Sequence, residues 1–554
     1  MLELIAAAAL LAQDAEPVAR YYLDVRPREG EIADVRVSIG FTGETDGETE
    51  IVLPTAWGGE NALWNSLTDF ELEGGELERR DSGLFIARHE PDAELWLRYR
   101  VSPDRPGMPD ADADDYYRPV VTESFAHLIG HTIFARPTPA MEGDLVTVIS
   151  TEGDWEIASD MSLGETMNAL LTSVTLVGDI RVEERDLAGA PLRVALQGEL
   201  GLSDSDFADA VLTAARGSNL YWGDEAFPYL VTVLPLTAAP GRSSVGGTNL
   251  GDAFAFFSTP SPETFIMMRI LAHEYVHNWN PVRLGGALPG ADEPAGYWFS
   301  EGFTDFITQR SGVLGGAWDV GTGLSNWNEF LAEYAGSPLR EAPNSVILEQ
   351  FWTSGDAQRL PYLRGMIFAA LVDEAIRDHT GGAMDIDDVF FAMRDEVDQG
   401  PAPARFADTV RETTGLDISG LMTRHIENGE PIELPADAFG ACGALETADA
   451  PVFVYGMTGE RDEQDRFVLV SVDEAGPAWA AGFRPGMILL ERIGGAYGDV
   501  TQESAFRTLV DGEEREMAYL PTDGRTRRTQ QIRPAQGDLQ ANGCAERLAG
   551  RALD

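Results

Sequence analysis

Leu271-Ala-His-Glu-Tyr-Val-His-Asn-Trp-Asn-Pro281 carries an H-E-x-x-H pattern, and a second apolar segment, Tyr297-Trp-Phe-Ser-Glu-Gly-Phe-Thr-Asp-Phe306, follows it. On a helix, residues four apart share a face, so the imidazoles of His273 and His277 can reach one metal ion while Glu274 leans toward a metal-bound water. Ser261-Pro262 predicts the helix start, with proline at the first helical position, and Asn280-Pro281 predicts its stop. Between them, residues 265–279 are apolar on nearly every face, which predicts a buried helix. Burying two imidazoles and a carboxylate alone is costly, and a bound cation removes that cost.

Glu301 narrows the metal class. A catalytic zinc takes three protein ligands and keeps a fourth position for water, and two histidines with one glutamate form one such set. The spacing therefore predicts one zinc per chain, held by His273, His277 and Glu301, with Glu274 as general base. The third ligand would stand on a second helix, beginning near Trp298 and ending by Gly312. Asp305 follows one turn later on the same face, where it can accept the free N–H of a ligand histidine and fix its tautomer. His127 and His131 are also four apart, but no acid adjoins them, so they read as structural.

At 554 residues the chain exceeds one core and predicts two to four domains. A net charge of -52 excludes a generic surface for nucleic acid or anionic lipid. All 40 basic residues are arginine, and with no lysine a P-loop, a Schiff-base lysine and a Ser-Lys dyad are excluded. The apolar run 4–12 is too short to span a bilayer but suits the core of a signal peptide cleaved near Ala12 or Ala15; an N-terminal strand is the other reading, since Glu3 replaces the usual basic start. Export to a bacterial periplasm or the exterior is the expectation, with no transmembrane segment. The two cysteines, Cys442 and Cys544, fit one disulfide in an oxidising compartment, or two free thiols elsewhere.

Four segments follow: 1–15 as a signal peptide, 16–180 as a β-sandwich, 181–438 as a mainly helical catalytic domain, and 439–545 as a small β domain. The fold class is multidomain α+β. Short strands near 21–25, 34–41, 49–53, 84–87 and 94–99 alternate with Gly, Asp and Pro turns. Helices are expected from Ser203, through the zinc segments, to a long apolar helix over 361–380 that stops at Gly381-Gly382.

The last segment resembles a bacterial PDZ domain. Pro477-Ala478, Ala481-Gly482 and Pro485-Gly486 stand where that signature has its short helix and turn, and Tyr455-Gly456-Met457 is similar to its carboxylate-binding loop. Met487 replaces the usual Asp after the second Pro-Gly. The resemblance implies a C-terminal peptide ligand added at a sheet edge.

The whole chain then resembles the glycyl aminopeptidase family, thermolysin-like gluzincins with an N-terminal β domain, a zinc domain and a C-terminal PDZ domain. The likeness is strongest in His273-Glu-Tyr-Val-His-Asn-Trp-Asn280 and Trp298-Phe-Ser-Glu-Gly-Phe-Thr-Asp305, and extends to Tyr362-Leu-Arg-Gly365. It implies zinc-dependent hydrolysis of a peptide or protein substrate, with Tyr362, at the start of its helix, donating to the oxyanion. It also implies that Gly246, Gly247 and Asn249 line the substrate on an edge strand, in a Gly-Gly-x-Glu type motif. Asn249 stands where the family has an acid for the substrate's α-amino group, which leaves exopeptidase and endopeptidase activity both open. An inactive peptide-binding scaffold is a third reading.

Overall fold

The computed structural model describes residues 17–550, apart from 112–115, 162–165, 239–242, 261, 263, 463–465, 496–499, 511 and 540–542. The expected signal peptide therefore lies outside the described residues, as does Ser261. The chain divides into two compact units. One contains Glu225–Ala238, Ser243–Ile270 and the chain up to Leu212; the other contains Thr213–Asp224 and everything from Leu271 onward.

The first unit is built from sheets. Ala19–Arg28 alternates buried and half-buried residues, so Tyr21, Leu23 and Val25 point into the core, as the period of two dictates. It lies between the parallel strand Leu145–Thr151 and the antiparallel Glu31–Thr42, in a five-stranded sheet completed by Glu94–Val101 and Leu67–Glu73. A four-stranded sheet contains Arg136–Pro137, Glu48–Val52, Leu84–His89 and Gly75–Arg79. Ile51, Phe85 and Ala87 of the second sheet share one apolar cluster with Tyr21, Val37 and Leu97 of the first. Asp34, only 6% exposed, is held on the first sheet by Arg28, Arg36 and Arg100.

The span 181–438 differs from the expected helical make-up at its start. It opens with a mixed five-stranded sheet: β1 (Arg181–Leu187), β2 (Ala190–Leu196), β3 (Tyr229–Pro235), β4 (Val245–Asn249) and β5 (Ala253–Ser258), in the order β1-β2-β3-β5-β4. β3 and β5 are buried almost throughout, so their residues run apolar without the alternation that marks a half-exposed strand. β4 is an edge, paired antiparallel with β5 so that Gly247 faces Phe256. Helix α1 (Asp204–Trp222) places Phe207 against Phe256, ring centroids 5.1 Å apart.

Helix α2 (Thr264–Val276) carries the H-E-x-x-H pattern and crosses the boundary between the units after Ile270. It starts two residues after Pro262, and α-helical bonding stops at Val276, three residues before the expected end. Beyond Val276 the chain tightens, with His277, Asn278 and Trp279 bonding to the carbonyls three residues back. A turn at Tyr297–Ser300 leads through Glu301 into α3 (Gly302–Gly315). Next come α4 (Val320–Gly336) and α5 (Gly355–Thr380), the latter capped by Ser354, whose side chain accepts from the Ala357 N–H. α5 begins six residues before the expected Pro361, which it accommodates in its second turn; Tyr362 is thus inside the helix rather than at its start.

The C-terminal part of the second unit holds an antiparallel sheet in sequential order: Met457–Arg461, Phe467–Val472, Ile488–Gly494, Ser504–Val510 and Glu513–Tyr519. Pro477–Ala480 is a short helix, and Phe483, Phe506 and Tyr519 pack in the small core beside it. A separate ladder pairs Gly443–Pro451 with Thr526–Pro534. Cys442 and Cys544 form a disulfide that joins the start of this region to a C-terminal helix, Cys544–Ala549. Among the described residues, no helix is long and apolar enough to cross a membrane.

Candidate metal centre

The second unit brings His273, Glu274, His277, Glu301, Asp305 and Tyr362 together. The Nε2 atoms of His273 and His277 are 3.1 Å apart, and Glu301 Oε2 lies 3.2 Å from the first and 3.3 Å from the second. Three donors thus form a nearly equilateral triangle. Ligand bonds of about 2.0–2.1 Å in tetrahedral geometry require edges of about 3.3–3.4 Å, so the donor set fits one face of a zinc tetrahedron. Donor atoms of His273, Glu274 and His277 also lie within 4.8 Å of one another, which places the Glu274 carboxylate beside the triangle.

Each imidazole is oriented by its other nitrogen. His273 Nδ1 pairs with Asp305 Oδ1 at 3.0 Å, and His277 Nδ1 with the Asn280 carbonyl at 2.9 Å. Both partners accept, so each Nδ1 carries a proton, and in the neutral, metal-binding form each Nε2 turns its lone pair toward the triangle. Asn280 does more than end a helix. Its Nδ2 donates to the Phe299 carbonyl at 3.0 Å and to Thr304 Oγ1 at 2.9 Å, tying the strand of chain after α2 to the segment bearing Glu301.

Two glycines bring α5 to this point. A Cβ on Gly365 would lie 1.8 Å from the Trp298 carbonyl, and one on Gly302 would lie 2.4 Å from Gly365 Cα. The backbones therefore touch, next to Glu301 on one side and within a turn of Tyr362 on the other. The Tyr362 ring lies over His273, centroids 5.9 Å apart and planes 25° from parallel. Behind the site, Trp298, Phe299, Phe303 and Phe406 form an aromatic cluster that excludes water.

The electrostatics demand positive charge. Burial works against a charged His273, yet Asp305 and Glu301 outweigh it and raise its pKa to about 10. Burial likewise opposes ionisation of Glu301, but His277 and His273 hold its carboxyl well below the usual range. His277 is raised against burial by Glu301. Burial, followed by the charges of Glu301, Glu274 and Asp305, pushes the Tyr362 phenol well above its ordinary value, so it stays a proton donor.

The remaining anticipated residues lie in the first unit. Gly246, Gly247 and Asn249 are on the edge strand β4. Asn249 Oδ1 accepts from the Gly251 N–H at 2.9 Å, and its Nδ2 donates to the Tyr229 hydroxyl at 3.3 Å, so its amide is engaged in the turn toward β5. The Gly247 carbonyl accepts from the Tyr117 hydroxyl at 2.8 Å. His127 pairs with Thr232 Oγ1 at 3.0 Å and His131 stacks on Trp57 at 5.2 Å.

Arg359 and Glu333 also belong to this neighbourhood, although no sequence motif marks them. Arg359 donates through Nε and Nη2 to the two Glu333 oxygens, at 2.8 and 2.7 Å, and its Nη1 is 3.9 Å from Asp305 Oδ2. The one available signal was the spacing of Arg359 and Tyr362, three apart, and it was hidden because the helix was expected to begin at Pro361.

No family model matches the chain, and no curated protein does. Among solved structures, the chain is similar to an aminopeptidase N family protein from Idiomarina loihiensis, with a TM-score of 0.69 and 15% identity over 96% of this chain and 99% of that one. The two share a fold. An M1 zinc metallopeptidase from Deinococcus radiodurans aligns with a TM-score of 0.47 and 14% identity, covering 75% of this chain and 95% of that one.

Proposed function

We propose that the chain is an exported zinc-dependent peptide hydrolase of the aminopeptidase type, similar to the glycyl aminopeptidases. The triangle of His273 Nε2, His277 Nε2 and Glu301 Oε2, with edges of 3.1–3.3 Å, carries the reading. The fold shared with the aminopeptidase N family protein supports it. Bound by these three residues, zinc supplies Lewis-acid polarisation and a water of lowered pKa. Glu274 takes the proton of the attacking water and delivers it to the leaving amine. Tyr362 keeps its proton at neutral pH and donates it as a hydrogen bond to the developing oxyanion, a contact of the kind that contributes about 3–4 kcal/mol. An extended substrate lies along the edge strand β4, beside Gly246, Gly247 and Asn249.

Asn249 favours a second reading, an endopeptidase with weak recognition of a free N-terminus. An amide can hydrogen-bond an ammonium but cannot neutralise it, and its oxygen already accepts from Gly251. In either case the C-terminal sheet, with Met457–Arg461 at one edge, serves as a PDZ-like site that takes an added peptide strand. The test is zinc content by elemental analysis together with a mass-resolved digest of matched free and N-acetylated peptides. About one zinc per chain and zinc-dependent cleavage are expected; a metal-free or peptide-inert protein would leave the inactive scaffold.

A further inference from the structure

Arg359 connects with His273 by two routes. The first runs through Asp305: one carboxylate oxygen pairs with His273 Nδ1 at 3.0 Å, and the other faces Arg359 Nη1 at 3.9 Å. The second runs through Tyr362, whose ring lies over His273 and has the Arg359 guanidinium 5.7 Å from its centroid. Phe330 takes the guanidinium at the same distance, 5.7 Å, and Glu333 grips it through two hydrogen bonds of 2.8 and 2.7 Å. Two rings and a bidentate carboxylate fix a planar group in a way that an ammonium could not reproduce.

The neighbourhood gives that placement a purpose. Glu274, Glu301 and Asp305 put three carboxylates around two imidazoles, a set that would bind a divalent cation tightly and leave it a weak Lewis acid. A fixed guanidinium beside Asp305 draws electron density from the carboxylate that accepts the His273 proton, and so moderates the donor strength of His273 Nε2. The same guanidinium braces the Tyr362 ring.

Resting on the metallopeptidase reading, we propose that Arg359 is a positioning residue: clamped by Glu333, it lowers the affinity of the centre for zinc through Asp305 and holds Tyr362 in place for turnover. A residue that merely supports the fold would act with the opposite sign on the metal, since its loss would disorder the ligands and release zinc.

Zinc affinity is measured by competition with a chromophoric chelator, beside kcat and KM for one peptide, in wild type, Arg359→Met, Arg359→Lys and Glu333→Gln. Arg359→Met should bind zinc about fivefold more tightly, as expected for removing one like charge near the ion in a partly aqueous setting. Its kcat should fall about tenfold with KM nearly unchanged. Arg359→Lys restores the charge and should return zinc affinity to wild type, but it lacks the planar stack and should recover little kcat. Glu333 is half-exposed, so Glu333→Gln keeps the fold; it strengthens the field of Arg359 and should weaken zinc about twofold. Zinc bound more weakly or equally by Arg359→Met, or no return with Arg359→Lys, overturns the proposal. If Arg359→Met does not fold, tighter or unchanged zinc in Glu333→Gln overturns it and weaker zinc supports it. Active, zinc-loaded wild type with indifferent variants defeats this inference alone, whereas wild type without zinc or cleavage defeats the metallopeptidase reading beneath it.

Discussion

The chain contains two His-x-x-x-His patterns, and only one of them assembles a candidate site. His273 stands in the last turn of α2 and His277 in the tighter turn that continues it, and their spacing brings the two Nε2 atoms to 3.1 Å from each other. His127 belongs to the strand Phe125–Ile129 and His131 to a short helix beginning at Gly130, so the same spacing sends the rings to different partners, Thr232 and Trp57. The electrostatics diverge as sharply. Burial pushes His127 down to about 3, and burial with Arg136 pushes His131 down to about 4, while Asp305 and Glu301 hold His273 up at about 10. Spacing acquires chemical meaning only on a helix and only among acids.

The largest expected effect tests the acids. Glu274→Gln should retain zinc but lose at least about 10² in kcat, because the amide cannot accept the water's proton. Retained turnover would mean that another residue is the base. The imidazoles come next. His277→Ala should abolish stoichiometric zinc, and His127→Gln should leave it intact, with elemental analysis of both proteins separating the two pairs. Zinc lost equally from both variants would erase the contrast.

The comparison also explains what could be read in advance. The convergence of His273, His277 and Glu301 was legible because a helix makes spacing into geometry, and the approach of Asp305 because it follows Glu301 by one turn. The strands of the first unit were legible from alternation, as at Tyr21, Leu23 and Val25. The buried strands β3 and β5 were not, because continuous apolar runs carry no period. Asn280 and Arg359 act through tertiary contacts: Asn280 reaches Thr304, and Arg359 reaches Asp305 on a different helix. No local pattern announces such pairs. The Cys442–Cys544 bond was open between pairing and free thiols, since its partners are 102 residues apart and sequence alone gives no distance.

A smaller effect concerns the histidines outside the site. His127 is fully buried and its folded pKa, about 3, lies below its unfolded value, so the fold favours the neutral ring. That contribution is complete above pH about 6.5 and is lost as pH falls toward 3; by pH 4 the loss amounts to about 3 kcal/mol. Asp34, held at about 2 against burial by Arg100, Arg36 and Arg28, adds a second loss only below pH about 4. Denaturant unfolding of the wild type should therefore weaken from pH 6 downward, and His127→Gln, which keeps a partner for Thr232 without titrating, should flatten the dependence between pH 6 and 4. An unchanged slope would assign the acid sensitivity elsewhere.

The smallest expected effect bears on specificity, and it asks whether the logic of acids extends to β4. At the candidate metal centre carboxylates decide which imidazoles attract positive charge; a substrate's α-ammonium is another positive charge, and under the proposed function Asn249 would meet it with an amide. Wild type should therefore prefer free over N-acetylated peptides by only a few-fold. Asn249→Glu supplies a charge-assisted contact and should raise that preference by about tenfold in kcat/KM, provided the new carboxylate turns away from Gly251. The gain is limited because the exchange also removes the hydrogen bond from Asn249 Nδ2 to the Tyr229 hydroxyl, 3.3 Å long, and so loosens the turn that presents β4. Matched peptide pairs assayed in both proteins separate the outcomes. A wild type that already strongly prefers free termini, with no gain in Asn249→Glu, would show that a different acid anchors the substrate and that β4 discriminates by shape alone.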